Sequence, residues 1–445
     1  MCYAIPGRVK EVKDRRILVD YFGEEKKAIN ELDGLCVGDY IYVQGGYVIE
    51  RIPTEEAQSI LSVWRETFFA LQEVDLRLSQ INLEKNNIDK KLLSLLDKAL
   101  EKDPLKREEL LYLFTLNDPA TQELLFKTAN FLRQKFHKNS CCVHGIVEIS
   151  NYCTKLCNYC GISAHNTNLA RYRLTPEEII ETSCRAVREY GFQALVLQSG
   201  EDPYFTPDIL SDIVRKIKEK VPVLLCVSFG EIGMEGLEKL YQAGARALLM
   251  RFETSNAALY EKLHPGKKFE SKLAHIKKAY DLGYLVITGA LIGLPGQTKE
   301  DMINDIYLAK ALGAEIYSFG PFLPHPHTPL ANSQVVSTKE VLKILALIRL
   351  VDPENAKILI TTAFETLDRT MRREGLLCGG NSLMLNVTPI QYRKYYSIYP
   401  NKVYSNEPIE IQIEQKVSLL KSLGRAPTDL GITEISADKN TDRHG

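Results

Sequence analysis

The sequence predicts an α/β fold in which a complete (βα)8 barrel follows a small N-terminal β-barrel. Beyond Gly145, short apolar segments alternate with stretches of helical periodicity, and eight such units indicate a closed parallel barrel. Glycines stand where intervening helices are expected to end, at Gly191, Gly244, Gly283 and Gly313. The eight predicted strands are 146–150, 194–198, 223–228, 247–252, 285–292, 315–319, 357–362 and 383–387.

The start of one helix of this barrel can be read from the sequence. Thr175 is followed by Pro176, which suits the first helical position, and by Glu178, which completes a capping box. The predicted alternation of strands and helices is therefore supported by one helix start as well as by the four glycines at helix ends.

The first 52 residues follow a different pattern. Short alternating runs broken by glycines are typical of a small OB-like β-barrel. From Thr54 to about Leu83 apolar residues recur at helical spacing, which predicts a long amphipathic helix. We predict four units: the small barrel with its helix over 1–84, a helical lead-in over 85–140, the large barrel with a C-terminal helix over 141–433, and a disordered tail over 434–445.

Composition excludes several classes of partner. The 445 residues carry a net charge of −1, so no basic surface calls for nucleic acid or an anionic membrane. No apolar run approaches the ~20 residues of a membrane span, and the N-terminus lacks the apolar core of a signal peptide. We expect a cytoplasmic protein whose partners are small molecules or other proteins.

The most informative motif is a cysteine triplet. Cys153, Cys157 and Cys160 form a CxxxCxxC pattern, and three thiolates can hold a [4Fe-4S] cluster while leaving one iron without a protein ligand. A cluster that only carries electrons takes four cysteines, so the open iron indicates binding of a small molecule. The alternative is a structural zinc site with His165 as the fourth ligand.

Polar residues follow several predicted strands. Active sites of (βα)8 barrels gather at the C-terminal strand ends. Residues 198–202 follow strand two, residues 251–254 follow strand four, and Thr361 and Thr362 follow strand seven. Gly200 would let the backbone approach a ligand whose ammonium and carboxylate groups the polar neighbours could bind.

Two of these features have plainer alternatives. Arg251 and Glu253 could form a solvated ion pair on the barrel rim. The segment Gly293–Gln297 could approach an adenine through its backbone or could simply be a tight turn.

The cysteine motif, with Tyr159 just before its last cysteine, resembles that of the radical S-adenosylmethionine (SAM) superfamily. There the methionine moiety of SAM occupies the open iron. From about residue 88 to 420 the chain further resembles the HydE family of [FeFe]-hydrogenase maturases. The motifs that carry the resemblance are 153–161, 168–173, 198–202, 251–254, 293–298, 320–330, 386–389 and 395–400.

This resemblance implies an oxygen-sensitive (βα)8 barrel of radical SAM type that cleaves SAM reductively to a 5′-deoxyadenosyl radical. In HydE the radical enters a closed cavity that takes an iron species carrying cysteine, carbon monoxide and cyanide. The implied cofactor contacts are Tyr159, Ser199, Gly200, Glu201, Glu253 and Lys272. The implied reaction-cavity residues are Gln198, Arg251, Thr361 and Thr362.

The chain departs from the HydE pattern in two places. Residues 403–423 lack the further cysteines of a second cluster, so one [4Fe-4S] cluster is predicted. His144 stands where the family often has an arginine, so an anion contact would be lost or become dependent on pH.

The N-terminal unit resembles the HypC family of [NiFe]-hydrogenase maturation chaperones. The resemblance rests on Met1–Gly7, Gly38–Tyr40 and Tyr47–Glu50. It implies Cys2 as the ligand of an iron fragment bearing cyanide and carbon monoxide, for which a thiolate is chemically suited. Gln44 replaces a histidine that is common in the family.

Three functional hypotheses follow. The first is a maturase that assembles or modifies such an iron fragment, together with other maturation proteins and an electron donor. The second is a radical enzyme for a small organic, amino-acid-like substrate, similar to methylornithine synthase, with a docking N-terminal domain. The third is a non-catalytic scaffold or chaperone for iron fragments.

Overall fold

The computed structural model describes residues 4–81 and 89–430. Cys2, the predicted unit boundary at 84/85 and the predicted tail over 434–445 lie outside these ranges.

The N-terminal unit is a closed β-barrel, as the sequence predicts, and it has five strands. The buried side chains of Val19, Ile41 and Val43 fill its interior. Its strands, in the order β1-β2-β3-β5-β4, are β1 (Gly7–Lys13), β2 (Arg16–Tyr21), β3 (Glu24–Ile29), β4 (Tyr40–Gln44) and β5 (Tyr47–Ile52).

A long helix, α1 (Thr54–Leu78), leaves this barrel and packs Trp64, Phe68 and Leu71 against its core. The helix ends at Leu78, earlier than the predicted end near Leu83. Three helices then lead to the large barrel: α2 (Lys90–Leu100), α3 (Arg107–Thr115) and α4 (Pro119–His137).

A buried ion cluster joins α1 to the rest of the chain. Both oxygens of Asp75 accept from the Arg133 guanidinium, each at 2.7 Å, and Arg425 Nε lies 3.0 Å from Asp75 Oδ1. All three side chains are almost fully buried, so removing one would leave uncompensated charge in the interior.

The large unit is the predicted eight-stranded parallel barrel, closed by pairing of its last strand with its first. The barrel strands are β6 (Ser140–Ser150), β7 (Ala194–Ser199), β8 (Leu224–Ser228), β9 (Ala247–Leu249), β10 (Leu285–Thr288), β12 (Ala314–Tyr317), β14 (Lys357–Ile360) and β15 (Ser382–Asn386). Three two-residue strands lie outside the ring: β11 (Leu291–Ile292), β13 (Gly320–Pro321) and β16 (Ala426–Pro427).

Helices surround the ring. The capping box at Thr175 is present, since its hydroxyl accepts from Glu178 N at 3.2 Å and the Glu178 carboxylate accepts from Thr175 N at 2.7 Å. The helices are α5 (Pro176–Arg188), α6 (Pro207–Lys220), α7 (Met234–Gln242), α8 (Ala257–Leu263), α9 (Phe269–Leu282), α10 (Lys299–Ala311), α11 (Thr338–Val351), α12 (Thr362–Leu367), α13 (Met371–Leu377), α14 (Ile390–Arg393) and α15 (Ile409–Ser422).

Two strands differ from the prediction by more than three residues at one end. The segment predicted as 285–292 divides into β10 and β11, because β11 leaves the ring to pair with β13. The first strand begins at Ser140 rather than at 146, because its N-terminal half pairs with β15 and β16. Cys142 and His144 therefore lie within the barrel wall.

The small barrel closes the N-terminal face of the large barrel. Tyr47 donates its hydroxyl to Gly283 O at 3.0 Å, and Glu31 pairs with Arg246 at 3.0 Å. Gly45 packs so tightly that a Cβ would lie 2.5 Å from Leu285 Cδ1. Because the contacted residues lie at or just before strand starts, this interface is opposite to the C-terminal strand ends. In the described part of the chain, no helix is both long and apolar enough to cross a membrane.

Candidate active site

The cysteine loop follows β6 at the C-terminal face of the barrel. Cys153, Cys157 and Cys160 are partly buried. Burial, reinforced by the neighbouring thiols, raises the pKa of Cys157 above its ordinary value, and burial raises the pKa of Cys160 to about 12. Without a metal the thiols of Cys157 and Cys160 stay protonated, whereas iron would supply the positive charge that stabilises thiolates.

The spacing of the three thiols fits a cluster better than a single zinc ion. Among residues 4–81 and 89–430, one group of three potential ligands has its atoms within 4.8 Å of one another, and it lies elsewhere, at the base of the barrel. His165 is exposed and belongs to no such group. The cysteines are thus spread more widely than one tetrahedral ion requires, as a cube of four irons demands.

Arg171 holds the cysteine loop in place. Its guanidinium donates to four backbone carbonyls, those of Asn151 (2.5 Å), Ile162 (2.6 Å), Ser163 (2.8 Å) and Asn166 (3.1 Å). Arg171 lies in the motif 168–173, which resembles HydE, but we did not predict a role for it from the sequence. The presence of an arginine in a short motif after the cysteines could have indicated this role.

Tyr159, a predicted cofactor contact, is anchored to the neighbouring helix. Its hydroxyl lies 2.8 Å from His264 Nε2, and His264 Nδ1 lies 2.7 Å from Tyr260 O. The second contact fixes Nδ1 as the donor, so Nε2 accepts from the tyrosine. The aromatic residue therefore ties the cysteine loop to α8.

The end of β7 lies directly against the cysteine loop. Gly200 N donates to Ser150 O at 3.2 Å, and Thr154 N donates to Glu201 O at 3.1 Å. A Cβ on Gly200 would lie 2.3 Å from Tyr152 O, so the position requires glycine. The two segments that the sequence placed at this end of the barrel are thus in contact.

Alternating charges extend from this contact. Glu201 lies 3.1 Å from Lys155 and 3.5 Å from Lys267, and Glu231 lies 3.3 Å from Lys267 and 3.4 Å from Lys272. Burial opposes ionisation of Glu231, but Lys272, the hydrogen bond from Ser271 and Lys267 together outweigh it and hold its pKa below the ordinary value. Such a row can bind the ammonium and the carboxylate of an amino acid. The sequence identified Glu201 and Lys272 but missed Glu231 and Lys267.

A cavity of about 270 Å³ lies beside this row. Ser199, Gly200, Glu201 and Glu231 are among the residues that line it. The Ser199 hydroxyl donates to Gly200 O at 2.7 Å, so it shapes the turn rather than facing the cavity freely.

Glu253 adopts a left-handed backbone conformation, with a φ of 71°. Non-glycine residues in this region carry strain, which tends to occur at functional sites. Hydrogen bonds to the next strand hold it: Glu253 N donates to Gly289 O and Leu291 N donates to Glu253 O. The predicted ion pair with Arg251 is present at 3.3 Å, but the side chains are only 23% and 15% exposed, so the pair is not a solvated one.

The predicted reaction-cavity residues converge in part. A Cβ on Gly320 would lie 3.2 Å from Thr361 Oγ1 and 3.6 Å from Arg251 Nη1, so these two side chains face one point. Thr361 Oγ1 is buried and has no hydrogen-bond partner among the described residues. Thr362 instead bonds with the Tyr399 hydroxyl. Gln198 lies on β7, with its amide 3.5 Å from Ser228 Oγ.

The barrel wall also contains a buried carboxylate that we did not predict from the sequence. Glu148 of β6 pairs with Lys402 and accepts from Asn386 Nδ2 at 2.8 Å. An acidic residue inside an otherwise apolar predicted strand was the signal that could have found it.

The segment Gly293–Gln297 is a tight turn. The Gln297 side-chain oxygen accepts from Gly293 N at 2.8 Å and from Leu294 N at 3.1 Å. Its amide donates to Asp305 Oδ2 at 3.0 Å, and Asp305 Oδ1 accepts from Ser255 N at 2.5 Å. Asp305 thus joins this turn to the segment that carries Glu253.

Together, the parallel barrel and the cysteine loop at its C-terminal face define a radical SAM enzyme. Residues 147–309 match the family model of the Radical SAM superfamily, and residues 1–64 match that of the HupF/HypC family. A [4Fe-4S] cluster and SAM are accordingly the cofactors of this chain. Membership of an enzyme superfamily, with the cysteine triplet intact, is inconsistent with the hypothesis of a non-catalytic scaffold.

The particular family follows from a close relative. The chain is 41% identical over 328 residues to the [FeFe] hydrogenase maturase subunit HydE of Thermotoga maritima, covering 74% of this chain and 93% of that protein. The chain therefore belongs to the HydE family.

More distant similarity extends to methylornithine synthases. The chain is 30% identical over 297 residues to the 3-methylornithine synthase of Methanosarcina acetivorans, covering 66% of this chain and 82% of the relative. The crystal structure of methylornithine synthase (PylB) superimposes with a TM-score of 0.64 at 27% identity, covering 75% of this chain and 97% of that one.

Proposed function

We propose that this enzyme assembles or modifies an iron fragment carrying carbon monoxide and cyanide ligands for a hydrogenase-type metallocofactor. The observation that carries the proposal is the packing of a HupF/HypC-family barrel against a HydE-family barrel within one chain. The HydE relative is named for the maturation of [FeFe] hydrogenases. The N-terminal unit resembles the maturation chaperones of [NiFe] hydrogenases. Their fusion raises the effective concentration of a cargo held by one unit relative to the other.

In this proposal Cys153, Cys157 and Cys160 hold the cluster. When bound and reduced, the cluster and SAM supply a 5′-deoxyadenosyl radical; the chain supplies binding, orientation and exclusion of water. Arg171 keeps the loop in one conformation, and Tyr159 ties it to α8.

The row of charges beside the loop is assigned to the methionine moiety. Glu201 and Glu231 would accept from its ammonium group, and Lys267 and Lys272 would pair with its carboxylate. Ser199 and Gly200 shape the backbone at this point. The strained Glu253, which follows β9 at the same face of the barrel, is a further acidic group.

Arg251 and Thr361 are assigned to the reacting species. An iron fragment with cyanide and carboxylate groups is anionic, so a half-buried guanidinium is a suitable partner. The Thr361 hydroxyl, which has no partner among the described residues, would gain a hydrogen bond from this species. Leaving a buried polar group without a hydrogen bond costs about 1–3 kcal/mol. Gln198 and Thr362 complete the predicted cavity.

The N-terminal unit is assigned to cargo binding through Cys2. The described part of this unit covers the base of the large barrel, while the cysteine loop lies at the other face. Other maturation proteins and an electron donor in the cytoplasm are the expected partners.

Infrared spectroscopy tests this assignment. The protein is expressed with hydrogenase maturation proteins, isolated anaerobically and compared with Cys2→Ala. The matched control is Cys36→Ala, which removes an exposed cysteine of the same unit. We expect cyanide and carbonyl bands in the parent and in Cys36→Ala, and none in Cys2→Ala. Bands absent from all three proteins would contradict the proposal.

Similarity to 3-methylornithine synthase supports a second candidate, an amino-acid-like substrate. Candidate amino acids labelled with deuterium at carbon distinguish it. Deuterium found in 5′-deoxyadenosine would favour this candidate, and its absence across the series, with infrared bands present, would favour the iron fragment.

A further inference from the structure

A second group of metal-binding side chains lies at the base of the large barrel, remote from the cysteine loop. Ligand atoms of Cys142, His144 and Asp429 lie within 4.8 Å of one another, and all three residues are buried. We propose that these residues bind a divalent transition-metal ion of the Fe²⁺ or Zn²⁺ class. This goes beyond the proposed maturation, which does not require it.

The backbone brings the three side chains together on rigid elements. Cys142 and His144 are two positions apart on β6, so both point to the same face of the strand. Asp429 follows β16, whose Pro427 pairs with Cys141, and Gln193 N donates to Asp429 O at 2.9 Å. Sites built on strands are held more precisely than sites on free loops.

One side chain in the group has an unused coordinating atom. His144 is 7% exposed, and its Nδ1 has no hydrogen-bond partner among the described residues. Its Nε2 lies 3.2 Å from Asp429 Oδ2. Leaving a buried ring nitrogen unpaired is costly, and a metal ion would remove that cost.

There is also room for an ion and a small ligand. A cavity of about 30 Å³ is lined by the three residues and by Gly45 of the small barrel. That volume accommodates about one or two waters, so a solvent ligand could complete the coordination. Three protein ligands plus water are typical of an open site rather than a closed structural one.

The donor set selects the class of metal. Thiolate and imidazole favour zinc and iron, whereas magnesium and calcium prefer oxygen ligands. The charges also balance: a dication, one thiolate and one carboxylate sum to zero. A bound ion of this class therefore leaves no net charge in the interior.

The site is distinct from the cluster. From Cys142 to Ser150 the strand rises by about 26 Å at about 3.3 Å per residue, and the cysteine loop begins beyond that point. Apolar side chains of the barrel interior, such as Val196, Ile287 and Ile316, lie between the two ends.

Zinc binding to the holoprotein tests the proposal. The full-length protein with its cluster reconstituted is dialysed anaerobically against ⁶⁵Zn²⁺, and zinc X-ray absorption reports the ligands. We expect one tightly bound ion per chain, with one sulfur and mixed nitrogen and oxygen neighbours. Cys142→Ser should weaken binding by at least about 100-fold, beyond the usual effect of outer-shell changes.

Cys141→Ser is the matched control, because it alters the adjacent buried cysteine of the same strand without touching the group. Asp429→Asn is a second ligand variant, and iron content reports whether each variant retains the fold. Equal zinc binding in Cys142→Ser, Asp429→Asn and Cys141→Ser would overturn the proposal. Absence of binding in the parent, or three sulfur neighbours indicating the cluster cysteines, would also overturn it. None of these outcomes depends on SAM cleavage or on bound cyanide.

Discussion

Gly200 lies so close to Cys153 that a Cβ at position 200 would come within 2.7 Å of the Cys153 Cβ. The end of β7 and the start of the cysteine loop are therefore packed backbone to backbone. This contact fixes the predicted cluster ligands relative to the residues assigned to the methionine moiety. The orientation of the cofactor relative to the cluster therefore depends on the absence of a side chain at position 200.

Gly200→Ala is expected to displace the cysteine loop. A shift of about 1 Å at a reacting centre can lower a rate by about 100-fold, so we expect a fall of that order in 5′-deoxyadenosine formation. Product quantification under strong reductant, together with iron and sulfide content, checks it. Gly34→Ala is the control, because a Cβ at this position of the small barrel meets no atom within 4 Å, and it should form 5′-deoxyadenosine at the rate of the parent. Unchanged product formation in Gly200→Ala would show that the contact is dispensable.

Arg171→Lys should make the cluster more labile. An ammonium group cannot replace a planar guanidinium that donates to four carbonyls, and hydrogen bonds to a charged group contribute about 1.5–3 kcal/mol each. We expect faster loss of iron to a chelator, followed by visible absorbance. Arg185→Lys, at an exposed helical position, is the control. Equal rates of iron loss in all three proteins would rule out the clamp.

Mutations should distinguish the roles of the small barrel and the large barrel. Cys157→Ser is expected to abolish SAM cleavage, because it removes a predicted cluster ligand. Cys2→Ala should leave cleavage in the absence of substrate largely intact, because the described part of the small barrel packs on the opposite face. The measurement is 5′-deoxyadenosine formed per chain. Equal loss in both variants would contradict independent roles for the two units.

The sequence predicted the architecture well because periodic signals record it. Eight apolar segments and glycines at helix ends were enough for the barrel, and the glycines at 191, 244, 283 and 313 all have positive φ. Boundaries were less accurate where pairing depends on distant segments: β6 begins at Ser140 because β15 and β16 extend the sheet.

The candidate site was predictable only where a motif marks it. The cysteines and residues 198–202 stand out locally, whereas Glu231 and Lys267 become neighbours through folding of separate βα units. The group of Cys142, His144 and Asp429 was equally hidden, because most of the large barrel lies between the last two in the sequence. No local spacing rule connects residues that only the closure of the barrel base brings together.

Asp305 should make stability depend on pH. Burial raises its pKa to about 7, against an ordinary value near 3.9. Between these values the folded state holds a proton that the unfolded state releases, so stability is highest below the window and falls as pH rises from about 4 to 7. Asp305→Asn removes this slope, although it also weakens the hydrogen bond from Gln297.

Urea unfolding at intervals from pH 5 to pH 8 measures the effect under anaerobic conditions. The free energy of unfolding of the parent minus that of Asp305→Asn should decrease by a few kcal/mol as pH rises, since a tenfold difference in proton affinity between the folded and unfolded states corresponds to about 1.4 kcal/mol. A constant difference for Asp305→Asn would mean that this carboxyl is ionised throughout the range, despite its burial between the Gly293–Gln297 turn and the Glu253 segment.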